Sequence, residues 1–119
     1  MVSDMTTTFR AQQIERKIAR LKQELLTLGP IHPGSLSRQY NVCGKPGCRC
    51  KDPVHPQRHG PYYKVSYVYR GRSTSRFVPR DQVKEVQAEL ANYKRFRKLT
   101  DQWVGLALQL VKEKRKLAE

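Results

Sequence analysis

This 119-residue sequence predicts a small α+β fold, ordered helix, cysteine loop, β-hairpin, helix, helix. Three observations carry that expectation. An apolar stripe at helical spacing fills the first quarter, a β-forming run doubles back at a glycine in the middle, and two further helical stripes follow a proline. The hydrophobic fraction is 38% and the mean hydropathy is −0.74, so the core is thin. A chain of this size gains from a metal staple or from association with a second copy.

The first element is read over residues 10–28. Ala11, Ile14, Ile18, Leu21, Leu25 and Leu28 recur at alternating steps of three and four, and Gly29-Pro30 ends the pattern. Either this stripe lies on its own domain or it forms a coiled-coil seam with a partner. Residues 1–9 lack periodicity and are expected to be disordered. Residues 31–37, with Pro33 and Gly34, read as a connector in which His32 is a surface residue.

The remainder, 34–119, begins with the cysteine loop. Cys43, Cys48 and Cys50 fall within eight residues, and His59 follows nine residues after Cys50. Three sulfurs and one imidazole complete a closed tetrahedral site of the kind zinc occupies, while Gly44, Pro46 and Gly47 allow the turns that bring the sulfurs together. His59 is favoured over His55 as the fourth ligand, because Gly60-Pro61 follows it into the next strand. The spacing is not that of a standard zinc knuckle, and ordinary packing or a redox pair at Cys48 and Cys50 are the competing readings. An odd number of cysteines argues against a disulfide framework.

Tyr62 to Tyr69 is rich in β-formers and free of Gly and Pro; Arg70-Gly71-Arg72 is a turn, and Ser73 to Val78 returns. A three-residue loop would pair Val65 with Phe77 and Tyr67 with Ser75 on a core face. Lys64, Ser66, Thr74 and Arg76 would then share the other face, turned towards phosphates. After Pro79, Asp81 is placed as the N-cap of a helix striped by Val83, Val86, Leu90 and Tyr93. A second stripe, Phe96, Leu99, Trp103, Leu106 and Leu110, is out of step by one residue, so a break is expected between Arg97 and Asp101. The segment from Trp103 to Val111 is apolar except for Gln109. Ile14, Ile18, Leu21, Leu25, Leu28, Trp103, Leu106 and Leu110 are therefore assigned to a homodimer or protein-partner interface, with cover by the first helix as the alternative.

Charge points to the partner. The chain carries 24 Lys and Arg against 10 Asp and Glu, a net +14, and its pI is about 10.2. Ten of those cations and a single acid, Asp52, lie between residues 34 and 80. Nucleic acid is the default partner for such a surface, ahead of an anionic membrane. Lys45, Arg49, Lys51, Arg58, Lys64, Arg70, Arg72, Arg76 and Arg80 are the candidate phosphate or base contacts, with Tyr67 and Tyr69 as stacking residues. A two-stranded ribbon fits a DNA major groove, so DNA is favoured over RNA.

Catalysis is not expected. The central region offers only Asp52 where metal-dependent nuclease chemistry needs clustered carboxylates, and four ligands leave a zinc ion no open position. No phosphate-binding glycine loop occurs. No apolar run is long enough to cross a membrane, and no secretory signal pattern precedes the first helix, so a cytoplasmic, or nucleoid-associated, protein is expected.

Gly34-Ser-Leu, the run from Cys43 to Cys50 (CGKPGCRC), His59-Gly-Pro-Tyr-Tyr63 and Val78-Pro79 together resemble a family of short bacterial, archaeal and phage proteins classed as a domain of unknown function. That family carries a CGK-x-x-C-x-C…HGPYY signature and is associated with mobile elements. The resemblance covers roughly residues 34–100 and implies that Cys43, Cys48, Cys50 and His59 act as a unit. The reading that results is a nucleic-acid-binding protein with a structural zinc. An adaptor subunit of a larger nucleoprotein complex, docking through its helices, is the alternative.

Overall fold

The computed structural model describes the backbone of residues 2–118 and the side chains of residues 5–118. The chain forms helix α1 (Val2–Leu26), strands β1 (Ser35–Asn41), β2 (His59–Tyr69) and β3 (Arg72–Val78), and helix α2 (Val83–Ala118), with short 3-10 turns at Arg49–Lys51 and Arg80–Gln82. These elements group into two compact units. One holds His32 to Ala91; the other holds the chain up to Ile31 and from Asn92 onwards.

The first unit is a three-stranded antiparallel sheet, ordered β1-β2-β3, packed on the opening turns of α2. Its core is Val65, Val78, Val86 and Leu90, with Leu36, Tyr63 and Val83 packed against them. Strand alternation explains the choice: Leu36 lies opposite Val65, and Tyr63 lies opposite Val78, so all four point to one face. The sequence reading missed β1, treating its start as a connector. Ser-Leu-Ser-Arg-Gln-Tyr carries a weak apolar alternation, and pairing with β2 is what makes it a strand. Gly34 admits the close entry into that pairing. Its φ is +101°, and a Cβ there would lie 2.1 Å from the Ser66 carbonyl oxygen.

The hairpin register also differs from expectation. The loop has two residues, Arg70 (φ +49°) and Gly71 (φ +77°), because Tyr69 pairs with Arg72. Positive φ at both central residues is the type I′ turn, whose twist suits a hairpin. Val65 therefore faces Arg76 and Tyr67 faces Thr74, while Lys64 faces Phe77 and Ser66 faces Ser75. Arg76 and Thr74 thus lie on the helix side, and Phe77 lies on the open side with Lys64 and Ser66. The expected separation into a core face and a phosphate face does not hold as drawn.

The second unit is an antiparallel helix pair. In α1 the stripe is as expected: Ala11, Ile14 and Ile18 are buried, and Leu21, Leu25 and Leu28 are half-buried. The helix reaches back to Val2, however, so residues 2–9 are helical, not disordered; Met1 lies outside the described residues. The expected break near residues 97–101 is absent, and α2 is continuous from Val83 to Ala118. Thr100 does not cap a new helix. Its hydroxyl donates to the carbonyls of Phe96 (2.9 Å) and Arg97 (3.1 Å), a bond a mid-helix threonine can make without breaking the ladder. Asp81 falls inside the Arg80–Gln82 turn that precedes α2, so it is not the helix cap. Leu99 is 1% exposed and anchors the α2 stripe. Arg95 pairs with Glu24, Lys114 approaches Glu15 at 3.9 Å, and the Lys22 ammonium sits 5.1 Å from the Trp103 ring centre.

Candidate metal centre

The cysteine loop is closed at the open end of the β1–β2 ladder. Asn41 pairs with His59 after an irregularity following Gln39. This fixes Cys43 two residues beyond the end of β1 and His59 as the first residue of β2. Between them the chain turns on its own backbone. Cys48 N–H donates to Lys45 O at 3.4 Å, Lys51 N–H to Cys48 O at 3.0 Å, and Gln57 N–H to Arg49 O at 2.9 Å. Asp52 Oδ1 accepts from the N–H groups of Val54 (2.9 Å) and His55 (3.1 Å). These bonds hold the Asp52 carboxyl below its usual range and give it a turn-forming role.

Cys43, Cys48, Cys50 and His59 converge, their ligand atoms all lying within 4.8 Å of one another, and they could hold a metal ion. Cys43 Sγ lies 3.5 Å from Cys50 Sγ, and Cys48 Sγ lies 3.1 Å from His59 Nε2. Cys50 is the inner member, 2% exposed, with its sulfur accepting the Cys43 N–H at 3.3 Å. Burial pushes the Cys50 thiol up. Cys48 is the reverse case: the Cys50 N–H beside its sulfur, then bonds from Cys43, Cys50 and His59, lower it to about 6. Four ligand atoms at this spacing, one of them already favouring thiolate, suit a cation better than three neutral thiols. His59 is the fourth member, as favoured over His55, which is exposed and not of the cluster.

The basic residues are spread over the loop and the sheet, from the cluster end of β2 to the hairpin tip at its far end, without sharing one face. Lys45, Arg49, Lys51 and Arg58 are exposed on the loop, Arg70, Arg72 and Arg76 are exposed at the hairpin tip and along β3, and Arg80 is exposed in the turn that follows. Lys64 is half-buried on the open face of the sheet. Tyr69 is exposed beneath the Arg70 guanidinium, 5.2 Å from its ring centre. Tyr67 is half-buried on the helix side and meets the His32 ring edge-on at 5.0 Å, so His32 is not the free surface residue expected. Leu21, Leu25, Leu28, Trp103, Leu106 and Leu110 are half-buried in the helix-pair unit, and Ile14 and Ile18 are buried there. The stripe assigned to an intermolecular seam is therefore packed largely within the chain. Within 103–111 the large apolar side chains left exposed are Val104, Leu108 and Val111, which the sequence reading did not separate from the rest of the segment.

The fold and site thus define an α+β protein with a Cys3His cluster set at the base of a small antiparallel sheet. The chain belongs to a family described as a domain of unknown function, DUF6788, which matches residues 11–88. No curated protein and no solved structure matches it. The match takes in the stripe of α1, which the resemblance in the sequence had left outside, and stops before the apolar segment of α2. Among the described residues no helix is long and apolar enough to cross a membrane.

Proposed function

We propose that this chain is a zinc-stabilised nucleic-acid-binding protein acting on DNA in preference to RNA. One observation carries the reading. The Cys3His cluster organises a loop and sheet whose segment, residues 34–80, has ten cations and one acid. Three thiolates and an imidazole are a soft donor set that selects zinc among common divalent ions, and four protein ligands leave it structural. A tetrahedron built on Zn–S bonds of about 2.3 Å has edges of about 3.8 Å, within a few tenths of an ångström of the 3.5 Å between Cys43 and Cys50 sulfurs. Zinc would fasten the loop to the sheet, and the exposed cations would then release counterions from a phosphate backbone.

The test joins metal content to a salt titration. Protein purified without added metal is expected to carry one zinc per chain by mass spectrometry. Replacing Arg70, Arg72 and Arg76 together by glutamine is expected to weaken DNA binding and flatten log K against log salt, by about 0.9 for each phosphate no longer neutralised. Unchanged affinity and slope would reject the reading. A second reading, an adaptor that docks through its helices, is favoured by Val104, Leu108 and Val111, exposed at helical spacing on α2. Sedimentation of the parent and of a Val104, Leu108, Val111→Ser variant tests the homodimer form of that reading, which fails if the parent is monomeric.

A further inference from the structure

We propose that Tyr62 and Phe77 form a stacking slot for an unpaired base of a single-stranded nucleic acid, an inference that rests on the nucleic-acid reading above and specifies its substrate. Phe77 is the observation that calls for it. The type I′ register turns its ring away from Val65, Val78, Val86 and Leu90, leaving it 63% exposed near the end of β3, an edge strand paired there with β2. Tyr62, 41% exposed, stands beside it, the ring centres 6.5 Å apart and the planes at 70°. Two rings meeting as a corner leave ring faces open, and every nucleobase has a face to lay on them.

The surroundings are those a strand of nucleic acid requires. The two rings line a groove of about 380 Å³ together with Pro61, Pro79 and Arg80. Lys64 is the cross-strand neighbour of Phe77, so its ammonium shares the face. Tyr62 also lines the adjoining groove with Cys43, Cys48, His59 and Lys45. A chain of phosphates can therefore run from the metal loop past Tyr62 to Phe77 with a cation at each step. Aromatic faces ringed by Lys45, Lys64 and Arg80 fit a polyanion carrying flat rings better than they fit an apolar peptide. A duplex keeps its bases paired and cannot present them to such a corner, so the slot distinguishes single strands from double.

The experiment measures fluorescence anisotropy of labelled oligothymidylate and oligouridylate of about twelve nucleotides, and of a mixed-sequence DNA duplex of the same length. Phe77→Ala is expected to lose between about five- and a hundredfold in affinity for the single strands. Its duplex affinity, salt slope and zinc content are expected to stay at the parent's values, since the ring is exposed. Phe77→Trp is expected to keep single-strand affinity, with quenching on binding beyond that of Trp103 in the parent. Either pentose supports the slot, and the ratio of the two identifies the strand it takes. Equal single-strand affinity in Phe77→Ala and parent overturns the slot while leaving charge-driven binding intact. An equal loss on duplex and single strands overturns it as well, because stacking is then not what Phe77 provides. A parent that binds none of the three overturns this inference together with the reading beneath it.

Discussion

If zinc holds Cys43, Cys48, Cys50 and His59 as proposed, withdrawing it is expected to melt the sheet unit well before the helix pair. That unit has only Val65, Val78, Val86 and Leu90 in its buried core, and the loop from Val42 to Arg58 contributes a single buried side chain, Cys50. Metal bound to the folded state and not to the unfolded one stabilises by mass action, about 4 kcal/mol with free zinc at about a thousand times its Kd. In a unit of this size each kcal/mol moves Tm by roughly 4–8 °C. Chelation is therefore expected to lower the melting temperature by roughly 15–30 °C, and reloading to restore it. The two units carry separate reporters. Five of the six tyrosines (Tyr40, Tyr62, Tyr63, Tyr67 and Tyr69) belong to the sheet unit, whereas Trp103 belongs to the helix pair. Near-ultraviolet circular dichroism from tyrosine is expected to follow the chelator, and tryptophan fluorescence to lag behind it.

Cys50→Ser separates the metal's effect from that of the side chain. In chelated protein the change replaces a buried thiol by a smaller hydroxyl and is expected to cost about 1 kcal/mol or less. With zinc present it removes an inner ligand, and the variant is expected to melt like the chelated parent. The difference between those two costs is the coupling of Cys50 to the metal, as in any double-mutant cycle. If zinc loss is verified by mass spectrometry and the tyrosine melt moves by less than about 4 °C, the shift of a single kcal/mol, the cluster is not a staple.

Other perturbations test the sheet entry, the metal-free cluster and the helix pair. Gly34→Ala is expected to lower the urea midpoint by the equivalent of about 1–3 kcal/mol, because its Cβ would meet the Ser66 carbonyl and its φ is left-handed; an unchanged midpoint would show β1 enters the sheet differently. In metal-free protein, iodoacetamide is expected to modify Cys48 with a rate that rises through about pH 6. Its pKa is depressed in the fold, so the stability this thiolate contributes is fully present above the ordinary thiol value and is lost as pH falls through about 6. Alkylation that rises only near the ordinary thiol pKa would refute the hydrogen bonds assigned to its sulfur. Leu99→Ala is expected to cost about 2–5 kcal/mol, because nothing fills the space its side chain leaves, read as an earlier loss of Trp103 fluorescence in urea.

What could be read from the sequence was what local chemistry fixes, and what could not was what pairing decides. The convergence of Cys43, Cys48, Cys50 and His59 was legible because thiols and an imidazole at close spacing, with turn residues between them, point to a shared site, and the α1 stripe was legible because its period is strict. The strand β1 was not, since Ser35 to Asn41 has little intrinsic preference and becomes a strand by bonding to β2. Nor was the continuity of α2, where Thr100 and Asp101 looked like a cap although the threonine hydroxyl is satisfied inside the helix. The register of the hairpin had the largest consequence. Whether Arg70-Gly71-Arg72 or Arg70-Gly71 alone forms the loop changes the pairing by one residue, and a one-residue slip sends a side chain to the opposite face. With three residues, Phe77 would have been core beside Val65 and Arg76 would have faced solvent next to Lys64. With two, the phenyl ring is left on the open face beside Tyr62 and Lys64, where a core residue becomes a candidate contact for a base. The positive φ that Gly71 allows at the second turn position thus determines which aromatic residue is available for binding.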